Sequence, residues 1–261
     1  MLIRSMHSAA SGMIAQQNNV DVIANNLANV NTTGFRKSRA EFEDLIYQTY
    51  RTAGGTVGDN QRLPTGIQIG EGVRTVSTTL QHQQGSLIRT DNRLDVAIAG
   101  DGFYQITQPG GQIAYTRSGD FKEDADGRLV TVDGYLVEPA ITIPTNATQV
   151  TITATGQVSV TTPDQTSSQE IGQIQLANFV NPAGLHAIGK TMFIPTDASG
   201  QPIIANPGQE GLGTLEQGFL ETSNVEVVNE MIDLIASQRA YEVNQKVITT
   251  SDEMLRVVTE R

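Results

Sequence analysis

A chain of 261 residues can bury a sizeable core, either as one large β domain with extensions or as two domains. Its 17 Lys and Arg against 28 Asp and Glu leave a formal net charge of -11, which repels phosphate backbones and anionic membrane surfaces and argues against a nucleic-acid partner. The absence of Cys excludes disulfides and thiolate chemistry, and a zinc site would have to use the scattered His7, His82 and His186 with carboxylates.

The chain starts Met1-Leu2-Ile3-Arg4-Ser5-Met6-His7, without an apolar run of signal-peptide length. No segment approaches the roughly 18 apolar residues of a membrane span, so membrane insertion is not expected. Met6, Met13, Val20 and Leu27 recur every seven residues. Ala9, Gln16, Ile23 and Val30 fill the positions three further on, a nearly continuous a/d seam that predicts a long helix. Gly34, just past the seam, suits a left-handed C-terminal cap. The helix carries Asn18, Asn19, Asn25, Asn26, Asn29 and Asn31 in or beside it, poor helix formers that leave it in need of a packing partner.

From about residue 36 the period drops to two and turn residues appear every ten or so positions, as antiparallel strands require. Hairpins are expected over Phe121 to Val137, turning at Asp126-Gly127 and Asp133-Gly134, and over Val150 to Val160, turning near Thr155-Gly156. Strands Val96 to Ala99 and Phe103 to Ile106 flank Gly100-Asp101-Gly102. Thr52 to Gly72 and Ala205 to Gly218, rich in Gly and Pro, read as loops or linkers.

At the other end Val227, Leu234, Tyr241, Ile248 and Leu255 again recur every seven residues, supported by Met231, Ile235, Val247 and Val258. A second long helix is predicted, with Ser223 and Glu226 as a capping box at its start. Glu226, Glu230 and Asp233 sit near the positive end of its dipole, and Arg256 and Arg261 near the negative end. Two heptad-bearing ends around an independent β body suggest that the ends meet each other and neighbouring copies. The alternative is that both helices pack on the β body as ordinary core helices.

No catalytic or cofactor motif stands out. Asp124 and Asp126 before Gly127 resemble part of a calcium loop, but its first ligand position falls on Lys122 and the flanks read as strands, so a hairpin turn explains the segment. Gly70-Glu71-Gly72 and Gly100-Asp101-Gly102 lack the third glycine of a dinucleotide fingerprint. No His falls in a nucleophile, metalloprotease or acid–base motif. Neither cofactor, metal nor enzymatic activity is expected.

Ile23-Ala24-Asn25-Asn26-Leu27-Ala28-Asn29-Val30-Asn31-Thr32-Thr33-Gly34-Phe35-Arg36 closely resembles the N-terminal signature of the flagellar rod and hook protein family. Thr222-Ser223-Asn224-Val225-Glu226 through Met231-Ile232, then Gln238-Arg239-Ala240-Tyr241-Glu242 and Asn244, resembles its C-terminal end. Hook members are longer and the small proximal rod members shorter; the length here fits a rod member, as do Glu43 to Arg51, Leu63-Pro64-Thr65-Gly66, Gln68 to Arg74, Asp95 to Ile98 and Ala114 to Arg117.

The resemblance implies a mainly β fold with α: a central antiparallel β domain flanked by long N- and C-terminal helices that form a coiled-coil layer on assembly. Residues 1–35 with 222–261 would form a discontinuous helical coiled-coil assembly domain, 36–72 an extended or hairpin linker segment and 73–221 the β domain. It implies a structural subunit with Met6, Met13, Val20, Ile23, Leu27, Val30, Val227, Met231, Leu234, Tyr241, Ile248 and Leu255 at subunit interfaces. The implied partners are further copies of the chain, proximal rod proteins, the hook protein, peptidoglycan and outer-membrane ring proteins, and the export apparatus that delivers it without a cleaved signal to the basal body in the periplasm. The competing readings are another rod protein of the same family, a secreted β-domain adhesin and a β-fold hydrolase of cell-wall polymer.

Overall fold

The computed structural model describes the chain except for Met1, Gly55, Asp59, Asn60, Leu63, residues 164–167, Glu260 and Arg261, and except for the side chains of residues 2, 3, 56–58, 61, 62, 258 and 259. The expectations for Arg261, Leu63 and the Val258 side chain therefore lie outside the described residues. The rest divides into two compact units.

The first unit holds the two helices. Helix α1, Leu2–Ala28, follows the N-terminal heptads and gives way where Val30, Thr32 and Thr33 bring β-branched residues among asparagines. Helix α2, Val227–Thr259, follows the C-terminal heptads, with Glu230 in its first turn and Arg256 in its last, both of the sign that complements the helix dipole.

The same unit contains residues 38–79. Ser38–Asp44 pairs with Val73–Leu80, Tyr47–Arg51 with Ile67–Gly70, and Thr56–Gly58 with Gln61–Arg62, so three successive two-stranded pairs make an antiparallel arm. The loop expected from Thr52 to Gly72 is corrected here: much of it is strand, because its backbone groups pair across the arm despite the glycines. Every residue of Tyr47–Arg51 is exposed, and so are Ile67, Gln68 and Ile69 of the strand it pairs with, so this part of the arm buries no core of its own.

The second unit, Ala28–Lys37 with Leu80–Val225, is the β body. Its main sheet has nine strands among the described residues, with Phe103–Thr107 at the centre. One edge of that strand pairs with Ile113–Thr116; the other pairs with Leu136–Glu138 over Gln105 to Thr107 and with Leu176–Asn178 over Phe103 and Tyr104. Both expected hairpins are present, and Gly127, Gly134 and Gly156 take the positive φ their turns require. Arg128 pairs with Asp124 and Asp126 across the first turn.

Strand alternation divides the core. Tyr104 joins Val96, Ile98, Phe121, Leu176 and Leu215, and the next residue back, Phe103, joins Tyr115, Phe179, Leu185 and Phe193. The fully buried Tyr104 hydroxyl donates to the Val96 carbonyl at 2.8 Å, and burial raises its pKa above the ordinary phenol value. The linker expected over Ala205 to Gly218 is likewise corrected: Thr214–Gln217 is a strand paired with Val96–Ala99, held because Leu215 is buried in the core.

Candidate functional site

The two helices of the first unit meet through an antiparallel ladder of small and polar side chains. Ser5 Oγ lies 3.3 Å from Ser251 Oγ, Asn19 Nδ2 donates to Ser237 Oγ at 2.8 Å, and Asn26 Nδ2 donates to Glu230 at 3.1 Å. Between them Gly12 faces Asn244 so closely that an added Cβ would lie 2.9 Å from its Nδ2. Ser5, Gly12, Asn19 and Asn26 are seven residues apart, and so are Ser251, Asn244, Ser237 and Glu230 in reverse order. The heptad therefore carries a polar stripe as well as an apolar one, and the stripe fixes one register, since sliding either helix by a residue would strand all four layers.

The predicted seam flanks this ladder. Met6, Met13, Val20, Leu27, Val30, Leu234, Ile248 and Leu255 are half-buried and Ile23 is buried; Val227, Met231 and Tyr241 are exposed. Beside them Val228, Ile232, Ile235, Val243 and Val257 also face solvent, so α2 presents an apolar surface along its length.

The family-signature residues act as joints. Asn26, 2% exposed, accepts from the Ser38 N–H at 2.9 Å and donates to the Ser38 carbonyl at 2.8 Å, standing in for a neighbouring strand. Asn224 accepts from the Lys37 N–H at 2.8 Å and donates to the carbonyls of Gln81 and Gln83 at 2.8 and 3.1 Å. Two sequence expectations need correction. Gly34 has the left-handed φ of 69° but is not a helix cap: α1 ends six residues earlier, and Gly34 is required because a Cβ would meet the Ser118 N at 2.6 Å. Ser223 does not begin a capping box, because α2 starts at Val227 and the Ser223 hydroxyl accepts from the Val225 N–H at 3.3 Å, closing a local turn, while Glu226 accepts from Asn229 Nδ2 at 2.6 Å. Val225 is buried; Asn29, Phe35 and Ala240 are half-buried; Asn25 and Arg239 are exposed.

Sequence reasoning missed a buried ionic centre in the β body. The Glu221 carboxylate accepts from Arg36 Nη2 at 2.7 Å, from Arg117 Nε at 2.6 Å and from the Gly85 N–H at 2.8 Å. Arg117 is further fixed by carbonyls of Gly102, Ile98 and Gly100. Burial lowers the Arg36 pKa, against the attraction of Glu221. His82, beside this centre, is pushed down to about 4, first by burial and then by the charge of Arg36; the Pro182 carbonyl pulls upward in part, and Arg117 adds a further downward push. Arg36 and Arg117 were visible only as letters in family-like segments, and nothing local couples Arg36 to a carboxylate 185 residues away.

The chain matches three family models: "Flagella basal body rod protein" over residues 6–36, "Flagellar hook protein FlgE/F/G D1 domain" over 97–160 and "Flagellar basal body rod FlgEFG protein C-terminal" over 216–261. Among curated relatives, a flagellar basal-body rod protein FlgG of Caulobacter vibrioides is 50% identical over 259 residues, covering 99% of both chains. The protein of the same name in Borreliella burgdorferi is 51% identical, covering 98% of this chain and 97% of its own. That of Bacillus subtilis is 41% identical, again covering 98% and 97%.

Proposed function

The chain belongs to the flagellar basal-body rod protein family, a structural component of the flagellum, and from that premise we propose that it polymerises head to tail into the distal part of the rod. Non-closing contacts between identical subunits generate a helical filament, and such a shaft carries torque from motor to hook. The residues fit this role in three ways. The terminal helices, locked in register by their polar ladder, leave the apolar surface of α2 for neighbouring copies in an inner coiled-coil layer. The β body, with its separate core, supplies an outer layer. The exposed strand pair of Tyr47–Arg51 and Ile67–Gly70 orders against other subunits, stiffening the shaft.

The partners in this reading are further copies, proximal rod proteins, the hook protein, the peptidoglycan and outer-membrane ring proteins and the export apparatus. The subunit reaches the periplasm by signal-peptide-independent export. Residues 1–35 with 222–261 act as the assembly domain, and Met6, Met13, Val20, Ile23, Leu27, Val30, Val227, Met231, Leu234, Tyr241, Ile248 and Leu255 contribute to its seams.

The observation that carries the proposal is the exposed apolar surface of α2, where Ile232 and Ile235 are 58% and 54% exposed. Burial of each isoleucine in a subunit contact is worth about 1.5–3 kcal/mol, and an aspartate there adds an unpaired charge. Ile232→Asp and Ile235→Asp are expected to leave monomer unfolding unchanged, to abolish sedimenting polymer and to give non-motile cells without a complete rod. Motile cells with normal basal bodies carrying both substitutions would overturn the proposal.

A further inference from the structure

The β body contains a cleft of about 260 Å³ whose lining includes Arg36, His82, Arg117 and Asn178, with Phe103 and Phe179 as apolar wall. Arg36 is 2% exposed and spends Nη2 on Glu221, while its Nε and Nη1 are buried and meet no acceptor among the described residues. Both ring nitrogens of His82 are buried and make no aligned hydrogen bond either; the ring sits edge-on to Phe103 and Phe193, at 5.6 and 5.8 Å between centroids. Buried donors without acceptors are rare in native proteins and mark the place of a water or an ion.

The charges point to an ion. Two buried guanidiniums share the single carboxylate of Glu221, so one positive charge has no buried partner; Asp101, which also lines the cleft, is exposed and offsets the Arg36 charge less than Glu221 does. We propose that this cleft is an anion site that takes a carboxylate, its oxygens received by the free Arg36 donors and His82 and its short apolar stem by Phe103 and Phe179. A single negative charge matches the one guanidinium without a buried partner, whereas a doubly charged oxyanion would exceed it. The carboxylate comes either from a small free solute or from an acidic side chain of another copy, of which this chain carries 28.

The test uses the ring resonances of the three histidines in the full-length protein. Acetate is titrated into the monomer at constant ionic strength, with chloride as the balancing salt. The free-solute source predicts a saturable shift of His82 alone and a rise of its pKa from about 4 by one unit or more, because a neighbouring anion favours imidazolium. The side-chain source predicts the same His82 shift without acetate when the polymer forms, read by solid-state resonance. Arg36→Lys, which keeps the charge but loses the Nε and Nη1 donors, should weaken acetate binding at least tenfold; if that variant does not fold, the wild-type titration still decides. Two results overturn the proposal: His82 unmoved by both acetate and polymerisation, or His7 and His186 moving in parallel with it.

Discussion

Glu221→Ala removes the one acceptor that two buried guanidiniums and the Gly85 N–H share. The carboxylate receives three charge-assisted or backbone bonds of 2.6–2.8 Å, its side chain is 1% exposed, and those of Arg36 and Arg117 are 1% and 4% exposed. Truncation leaves two guanidiniums and the Gly85 N–H buried without their acceptor. Breaking a buried pair this way costs about 3–5 kcal/mol, mostly as the cost of stranded charge rather than lost attraction. At about 2–4 °C per kcal/mol for a unit of this size, the melting temperature should fall by roughly 6–20 °C. Near-ultraviolet circular dichroism follows the β body, because its buried Tyr104 and Tyr115 are held in fixed surroundings while Tyr47, Tyr50 and Tyr241 of the other unit are exposed. Glu242→Ala serves as control, since its partner Arg239 and Glu242 itself are 76% and 59% exposed and such pairs contribute about 0–1 kcal/mol. The triple replacement of Arg36 and Arg117 by Met and Glu221 by Leu should recover only part of the loss: no charge is then stranded, but the carbonyls of Ile98, Gly100 and Gly102 lose their donor and the Gly85 N–H its acceptor. If Glu221→Ala melts no lower than Glu242→Ala, the buried ionic centre is not what holds these segments together.

Two further outcomes follow from particular contacts. Gly12→Ala should be tolerated, since the atom it meets is the movable end of Asn244 and alanine favours helix by about 1 kcal/mol, whereas Gly12→Val should wedge the ladder apart and lower helicity in far-ultraviolet circular dichroism; equal behaviour of the two would count against the close approach. His82 titrates near 4 when folded and near 6.5 when unfolded, so between those values only the unfolded chain takes up the proton, and stability should fall as pH drops from about 6.5 to about 4. In buffer free of carboxylates, His82→Gln should remove that component of the slope, and an unchanged difference between variant and wild type across the window would refute it.

Helices, hairpins and alternating strands were legible because their signals are local. Heptads over Met6 to Leu27 and Val227 to Leu255 and the Asp-Gly turns at 126–127 and 133–134 each act within a few residues. Local reasoning failed where a tertiary partner overrode it. Thr214–Gln217 looked like linker but is strand because Leu215 finds the core, and Ser223 looked like a cap but closes a turn instead. The asparagines of α1 read as a weakness of the helix. Only the fold shows that Asn19 and Asn26 meet Ser237 and Glu230, 218 and 204 residues away, and turn that weakness into register. The sequence by itself determined where periodic elements form and which family the chain resembles; the tertiary structure alone decided which polar side chains pair, since a hydrogen bond or ion pair between distant residues leaves no periodic trace in either segment.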